Sequence, residues 1–202
     1  MKVALIGATG RAGSPILQEL ARRSHQVTAI VRNPEKVQAQ ANVIAKKGDV
    51  FDKDGLAALL KWHDAVISSV HFSASDPQKL IEAVKASGAK RYLVVGGAGS
   101  LEVAPGVTLV STPEFPAAYT DEATKGGVFL DLLRQEKELD WTFLSPSALF
   151  FDGPRTGTFR LGKDQLLTNE KGSSISFEDY AVALTDEVEK PKHSRQRFTV
   201  GY

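Results

Sequence analysis

The stretch Lys2-Val3-Ala4-Leu5-Ile6-Gly7-Ala8-Thr9-Gly10-Arg11-Ala12-Gly13 decides how this chain is read. Its first half is a short apolar run, and its second half sets Gly7, Gly10 and Gly13 in G-x-x-G-x-x-G spacing. Behind it, Ile16, Leu17, Leu20 and Ala21 recur on one helical face, and Pro15 falls in the first turn, where its missing N–H is not needed. Strand, glycine loop and helix in that order let a backbone turn sharply, admit a pyrophosphate closely and present free N–H groups at a helix N-terminus. The spacing predicts a dinucleotide site built on Gly7, Thr9, Gly10, Arg11, Ala12 and Gly13. Three spaced glycines also occur in turns that bind nothing; here the strand before and the helix behind favour the nucleotide.

The end of the second apolar run, Gln26 to Val31, selects among dinucleotides. NAD(H) sites usually place Asp or Glu there, where the ribose hydroxyls donate to it. This chain has Arg32, whose guanidinium can grip a 2′-phosphate through paired charge-assisted hydrogen bonds. The expectation is NADP(H) in preference to NAD(H), with Arg11 as a second positive charge nearby. The alternative is that Arg32 only opens the solvated loop Arg32-Asn33-Pro34.

Working outward, 202 residues make one domain, 1–202, long enough to bury a substantial core. A net charge of +1 gives no polyanion-binding surface, and the basic run Lys190 to Arg197 reads as a solvated connection, so no nucleic-acid partner is expected. The absence of cysteine excludes disulfides, thiolate ligands and a cysteine nucleophile. His25, His63, His71 and His193 are scattered without metal-ligand spacing, so no metal site is expected. No apolar stretch reaches membrane-spanning length and no leader pattern is present, which predicts a cytoplasmic protein without a membrane partner. A monomer or homodimer acting on a small molecule fits this composition.

Strand and helix patterns then alternate. Strands are expected at Val3 to Ile6, Gln26 to Val31, Val43 to Ala45, Ala65 to Ser69, Arg91 to Val95 and Trp141 to Leu144, with a seventh at Gln196 to Val200. Helices are expected at Gly13 to Arg23, Lys53 to Leu60, Pro77 to Ala86 and Asp121 to Glu136. A last helix begins after Ser176, whose hydroxyl can cap it with Asp179 three residues on, and ends before Pro191. Right-handed crossovers arrange these as an α/β, doubly wound parallel sheet of Rossmann type in the order 3-2-1-4-5-6, with helices on both faces.

In such a sheet a ligand lies across the carboxyl ends of the strands. Asp49 and Val50 follow the third strand and are placed for the adenine. Ser68, Ser69 and Val70 end the fourth, and Gly96 and Gly97 follow the fifth, where small residues let a nicotinamide lie close to the backbone. Pro146 belongs to Ser145–Phe151, after the sixth strand, expected to form a wall of the substrate pocket within about 145–175. Candidates for that pocket are His71, Phe72, Ser100, Tyr119, Pro146, Ser147, Phe150 and Phe151. His71, Ser100, Tyr119 and Ser147 are the candidate catalytic side chains. Each has a plainer reading: His71 caps a strand end, Tyr119 enters a helix with its hydroxyl in solvent, and Phe150-Phe151 packs under the loop instead of forming an aromatic platform.

Together, Gly7–Gly13, Val31-Arg32-Asn33-Pro34, Gly48-Asp49-Val50, Gly96-Gly97-Ala98-Gly99-Ser100-Leu101 and Asp179-Tyr180-Ala181 resemble the NmrA-like, NAD(P)-binding group of atypical short-chain dehydrogenases/reductases. Within it the chain is most similar to small NAD(P)H-flavin reductases of the biliverdin reductase B / flavin reductase type. The resemblance implies NADPH-dependent hydride transfer to a flavin, or to a planar acceptor such as a quinone, with the flavin a diffusing substrate rather than a bound cofactor. It departs from the wider family at Tyr119, which is followed four residues on by Ala123, with the nearest lysine at Lys125, so the Tyr-x-x-x-Lys pair is missing. Alcohol–ketone interconversion and sugar epimerisation are thereby disfavoured. Where the flavin and biliverdin reductases bring a serine and a histidine to the substrate, this chain has Ala98 and Ser147. Two other functions remain open: a redox sensor that binds NADP(H) without turnover, and a reductase or isomerase of a specific metabolite. In the latter, Lys125 or Ser100 does acid–base work and Arg155 or Arg160, in Gly153–Arg160, receives an anionic group.

Overall fold

The computed structural model describes residues 1–202. Strand β1 (Lys2–Ile6) runs into helix α1 (Gly13–Arg22) and β2 (Gln26–Val31), followed by β3 (Val43–Lys47), α2 (Lys53–Leu60) and β4 (Ala65–Ser68). Next come α3 (Pro77–Ser87), β5 (Arg91–Val95), a small hairpin of β6 (Glu102–Ala104) and β7 (Val107–Thr108), and α4 (Thr120–Gln135). The last third holds β8 (Asp140–Pro146), β9 (Leu149–Phe151), β10 (Arg160–Gly162), β11 (Ser174–Ser176), α5 (Phe177–Glu189) and β12 (Gln196–Gly201).

The main sheet has the order β10-β12-β8-β5-β4-β1-β2-β3. Counting only the seven long strands, this is the expected 3-2-1-4-5-6 with a seventh strand beside the sixth. All neighbours are parallel except the edge strand β10, which runs antiparallel to β12. Two apolar clusters of nearly equal size, 22 and 21 buried residues, cover its two faces. That burial explains why β4 and β5 are buried at every residue, and apolar at all but Ser68 and Arg91, instead of alternating. One cluster joins Val3, Leu5 and Leu93 to Ile16 and Leu20 of α1 and Tyr180 and Leu184 of α5. The other joins Ala4, Val66 and Tyr92 to Leu56, Leu80 and Phe129 of α2, α3 and α4.

The helix ends follow local chemistry. The Asp52 carboxylate accepts from Gly55 N–H, and that of Asp76 from Gln78 and Lys79 N–H, before Pro77 in the first turn of α3. Helix α3 stops at Gly88, whose φ of 81° a side chain would resist. The Ser176 hydroxyl caps α5, accepting from Asp179 N–H at 3.0 Å as the sequence predicts.

Four details differ from expectation. Strand β8 extends through Pro146, so Ser145 and Pro146 lie within the sheet instead of starting the pocket wall. Ser147, next in line, is fully buried. The segment 149–176 is not bare loop: β9 and β11 pair in parallel, and β10 adds to the main sheet. Finally, the basic run Lys190 to Arg197 is not a wholly solvated connection, because Arg197 sits inside β12 with its side chain 4 % exposed, held by Asp164.

Candidate functional site

The glycine loop is shaped by contacts that exclude side chains. Gly7 has φ 83°, and a Cβ there would lie 2.1 Å from the Ser69 carbonyl oxygen. A Cβ on Gly13 would lie 2.1 Å from the Gly7 carbonyl oxygen, so only glycine lets α1 begin this close to the end of β1. The loop is closed by Gly10 N–H donating to Gly7 O at 3.0 Å and Ser14 N–H to Gly10 O at 2.9 Å. Ala12 at the head of α1 offers no side-chain cap, and the first turn carries no acid. The N-terminal amides of this helix are therefore the kind of group that takes an anion at the carboxyl edge of a parallel sheet.

Around that loop the sheet order assembles the other predicted residues. Arg32 directly follows β2 on one side of β1, exposed and without an ion-pair partner. Asp49 is exposed, and its carboxylate accepts from Phe51 N–H at 2.9 Å, shaping the turn after β3 in which Val50 is half-buried. On the other side of β1, Ser69 N–H donates to Ile6 O at 2.8 Å, which fixes Ser69 and Val70 beside Gly7. The Ser68 side chain is buried and hydrogen-bonded to the Tyr92 hydroxyl at 3.0 Å, so only its backbone is on offer. Gly96 is tight, its Cβ position 2.4 Å from the Phe143 ring, whereas Gly97 meets only Phe72 at 3.6 Å. Pro146 is buried at the end of β8. Thr9 and Arg11 are exposed in the glycine loop.

Of the four polar side chains proposed for chemistry, three are already engaged and the fourth, Tyr119, is exposed. His71 is 83 % exposed, with Nδ1 3.3 Å from a Glu122 carboxylate oxygen. The same carboxylate accepts from Phe72 and Ser73 N–H at 2.8 Å each. Burial raises the Glu122 pKa, but these bonds and nearby His71 outweigh it and hold it below the usual range. The Ser100 hydroxyl accepts from Arg197 Nη1 at 3.2 Å, and its carbonyl takes further bonds from the same guanidinium. Tyr119, at the head of α4, is exposed. Ala123, four residues on, packs against Gly99, while Lys125 donates to Asp121 at 2.9 Å. The Ser147 hydroxyl is fully buried and donates to Val200 O at 3.2 Å, which removes it from any substrate-facing set. Phe150 packs on Phe177 and Tyr180, with ring centroids 4.2 and 4.8 Å away, so it serves the core and not an open platform.

Sequence reasoning missed a strap, residues 152–158, that binds the pocket segment to both helices on that face. Asp179 is fully buried and accepts from Thr156 N–H at 2.8 Å, Gly157 N–H at 2.7 Å, the Thr156 hydroxyl at 2.6 Å and the Tyr202 hydroxyl at 2.8 Å. Read as a capping box, Asp179 would turn back to the Ser176 amide; instead that amide donates to the Tyr202 hydroxyl. Arg155, considered as a substrate ligand, forms a two-bond fork with buried Glu19 of α1. Glu19 also holds Arg22 and Arg23. Arg160 donates to the Thr168 carbonyl. At the strap's near end, Arg11 donates to Asp152 at 2.9 Å and lies 5.1 Å from the centre of the Phe177 ring. No group of His, Asp or Glu in the structure could hold a metal, and no helix is long and apolar enough to cross a membrane.

Comparison with known proteins agrees with this fold. The chain is 46 % identical to the Bacillus subtilis (strain 168) protein YwnB over 99 % of its own length and 98 % of that protein. It superposes on a candidate epimerase from Bacteroides thetaiotaomicron with a TM-score of 0.95, at 43 % identity over 100 % of this chain and 96 % of that one. A candidate NADH-flavin reductase, SP1627 from Streptococcus pneumoniae TIGR4, matches with a TM-score of 0.86, at 40 % identity over 100 % and 99 % of the two chains. The family model described as NAD(P)H-binding matches residues 7–191, from the first glycine of the loop to just past the last helix. The chain thus belongs to the NAD(P)H-binding family.

Proposed function

We propose that the protein is an NADPH-dependent reductase that passes hydride to a flavin such as FMN or riboflavin, or to another planar acceptor such as a quinone. The observation that carries this reading is the state of the would-be proton donors. His71 is paired with Glu122, Lys125 with Asp121, and Ser147 is buried, while a side chain at Gly97 would meet only the Phe72 ring, at 3.6 Å. A flavin or quinone accepts hydride without a proton from the protein, so the chain's task is to stack two rings within reach and fix their orientation. Arg32, unopposed at the end of β2, supports selection of the 2′-phosphate. Gly7, Gly10 and Gly13 with the amides of Ala12 and Gly13 receive the pyrophosphate. Asp49 and Val50 flank the adenine, and Ser68, Ser69, Val70, Gly96, Gly97 and Pro146 flank the nicotinamide. A cytoplasmic setting, where NADPH is regenerated, goes with this reading.

Epimerisation, suggested by the name of one neighbour, needs a group to move a proton or hold an alkoxide, and Tyr119 stands without a lysine one turn on. The same lack favours, as a second reading, a sensor that binds NADP(H) and does not turn over. The two part in one assay: loss of reduced-nicotinamide absorbance by purified protein, with and without FMN, riboflavin and a simple quinone, for NADPH and NADH. Saturable, acceptor-dependent oxidation favouring NADPH is the expected result. Tight NADPH binding with no acceptor-dependent oxidation hands the site to the sensor.

A further inference from the structure

Arg11 belongs to the glycine loop, yet its side chain is paired outside that loop, with Asp152. Arg32 directly follows β2 on one flank of β1, whereas Asp152 and Phe177, which hold Arg11, belong to the connection between β8 and β12 on the other flank. Asp152 is the first residue of an anchored strap. Gly153 N–H donates to Glu178, Pro154 O accepts from Ser176, Arg155 grips Glu19, and Thr156 and Gly157 are bound to Asp179. The backbone that follows Asp152 is therefore anchored, and the longer side chain of the pair, the one with more freedom to move, is that of Arg11. Both side chains are more than 70 % exposed, at 72 % and 74 %, so the pair is weak and open to competition from a doubly charged phosphate.

We propose that Asp152 is a coenzyme-selectivity residue. It holds Arg11 on the substrate side of the cleft, so that NADP(H) breaks the pair to bring Arg11 onto its 2′-phosphate, whereas NAD(H) binds with the pair intact. This inference rests on the NADP(H) reading given above. It assigns Asp152 a role opposite to that of Arg32: the arginine raises the preference for NADPH and the acid lowers it. An acidic residue far from the ribose in sequence thereby tempers the discrimination that Arg32 sets.

The test is a fluorescence titration of NADPH and NADH into the wild-type protein, Asp152→Ala, Asp152→Asn, Arg11→Gln and the Asp152→Ala/Arg11→Gln double variant. The expected result is NADPH binding about two- to fivefold tighter in both Asp152 variants, in keeping with loss of one exposed ion pair, and NADH binding unchanged. In the Arg11→Gln background the gain from Asp152→Ala disappears. Equal tightening of both coenzymes, any weakening of NADPH, no change, or a gain that persists without Arg11 each overturns the proposal. Wild-type protein that binds neither coenzyme overturns the proposed function and this inference with it; wild-type binding with unaltered Asp152 variants overturns the inference alone.

Discussion

Replacing Asp179 tests whether the strap is held by geometry or by charge. Its carboxylate accepts two backbone N–H groups, from Thr156 and Gly157, and two hydroxyls, from Thr156 and Tyr202. Asparagine has the same shape but can accept on one side only. Its oxygen would take the two amides and its NH2 would face the two hydroxyls. Both hydroxyls can turn, because each has a second acceptor within reach: Thr158 O at 3.3 Å for Thr156, and the Ser176 oxygen at 2.9 Å for Tyr202. Asp179→Asn therefore loses charge assistance but leaves no donor stranded, and relief of a buried charge offsets part of the loss; the expected cost is about 1 kcal/mol. Asp179→Ala strands two amides, each worth roughly 1–3 kcal/mol, for an expected cost of about 3–4 kcal/mol. Urea unfolding followed by circular dichroism measures both. Equal destabilisation by Asn and Ala would refute the reasoning, since it would mean that the negative charge, and not acceptor geometry, secures the strap.

Arg32→Glu should weaken NADPH by about ten- to a hundredfold, from roughly 1.5–3 kcal/mol of charge-assisted bonding, while NADH holds or improves; an unchanged NADPH to NADH affinity ratio in titration rejects the phosphate assignment. Gly13→Ala forces a methyl to within 2.1 Å of the Gly7 carbonyl oxygen, so α1 must shift, with a stability cost of about 1–3 kcal/mol in urea and a loss of coenzyme affinity at temperatures where the variant is still folded. The Glu19 pKa is raised by burial, but bonds from Arg22, Arg155 and Arg23 prevail and hold it far below the usual carboxylate range. Because the folded-state value is depressed, its stabilisation is complete above the unfolded value of about 4.3 and fades as the pH falls toward the folded value. The stability gap between wild type and Glu19→Gln should accordingly be constant near neutrality and shrink by pH ~3; a gap as large there as at neutral pH contradicts the ion-pair account.

The sheet was legible because both of its faces are buried. Runs such as Ala65 to Ser68 and Arg91 to Val95 could be little else, and the glycines at 7, 10 and 13 fixed where the first strand handed over to a helix. Helix caps were readable where a side chain does the capping, as at Ser176. The short strands β9, β10 and β11 were not, since each pairs with residues distant in sequence and carries no period of its own over three residues. The candidate site divided in the same way. Its coenzyme half depends on backbone geometry, which glycine spacing reports directly. Its substrate half depends on which polar side chains are already engaged. Nothing near Ser147 signals that its hydroxyl turns into the sheet toward Val200, nor near His71 that Glu122, 51 residues away, would meet it. The one usable hint of the strap was Asp179, recognised as part of a cap though not for the loop it binds.

The strap also bears on how a different acceptor could be accommodated by redesign. Five of its residues, Gly153 to Gly157, are bonded to α1 or to the start of α5, so this segment cannot be exchanged as a cassette without rewriting both helices. The turn at Asn169–Gly172 is the reverse: Asn169 and Gly172 bond each other through both backbone amides, and Lys171 N–H donates to the Asn169 side chain. A self-contained turn tolerates grafts of altered length and chemistry. Grafts are therefore better placed in that turn while the strap is kept as the frame.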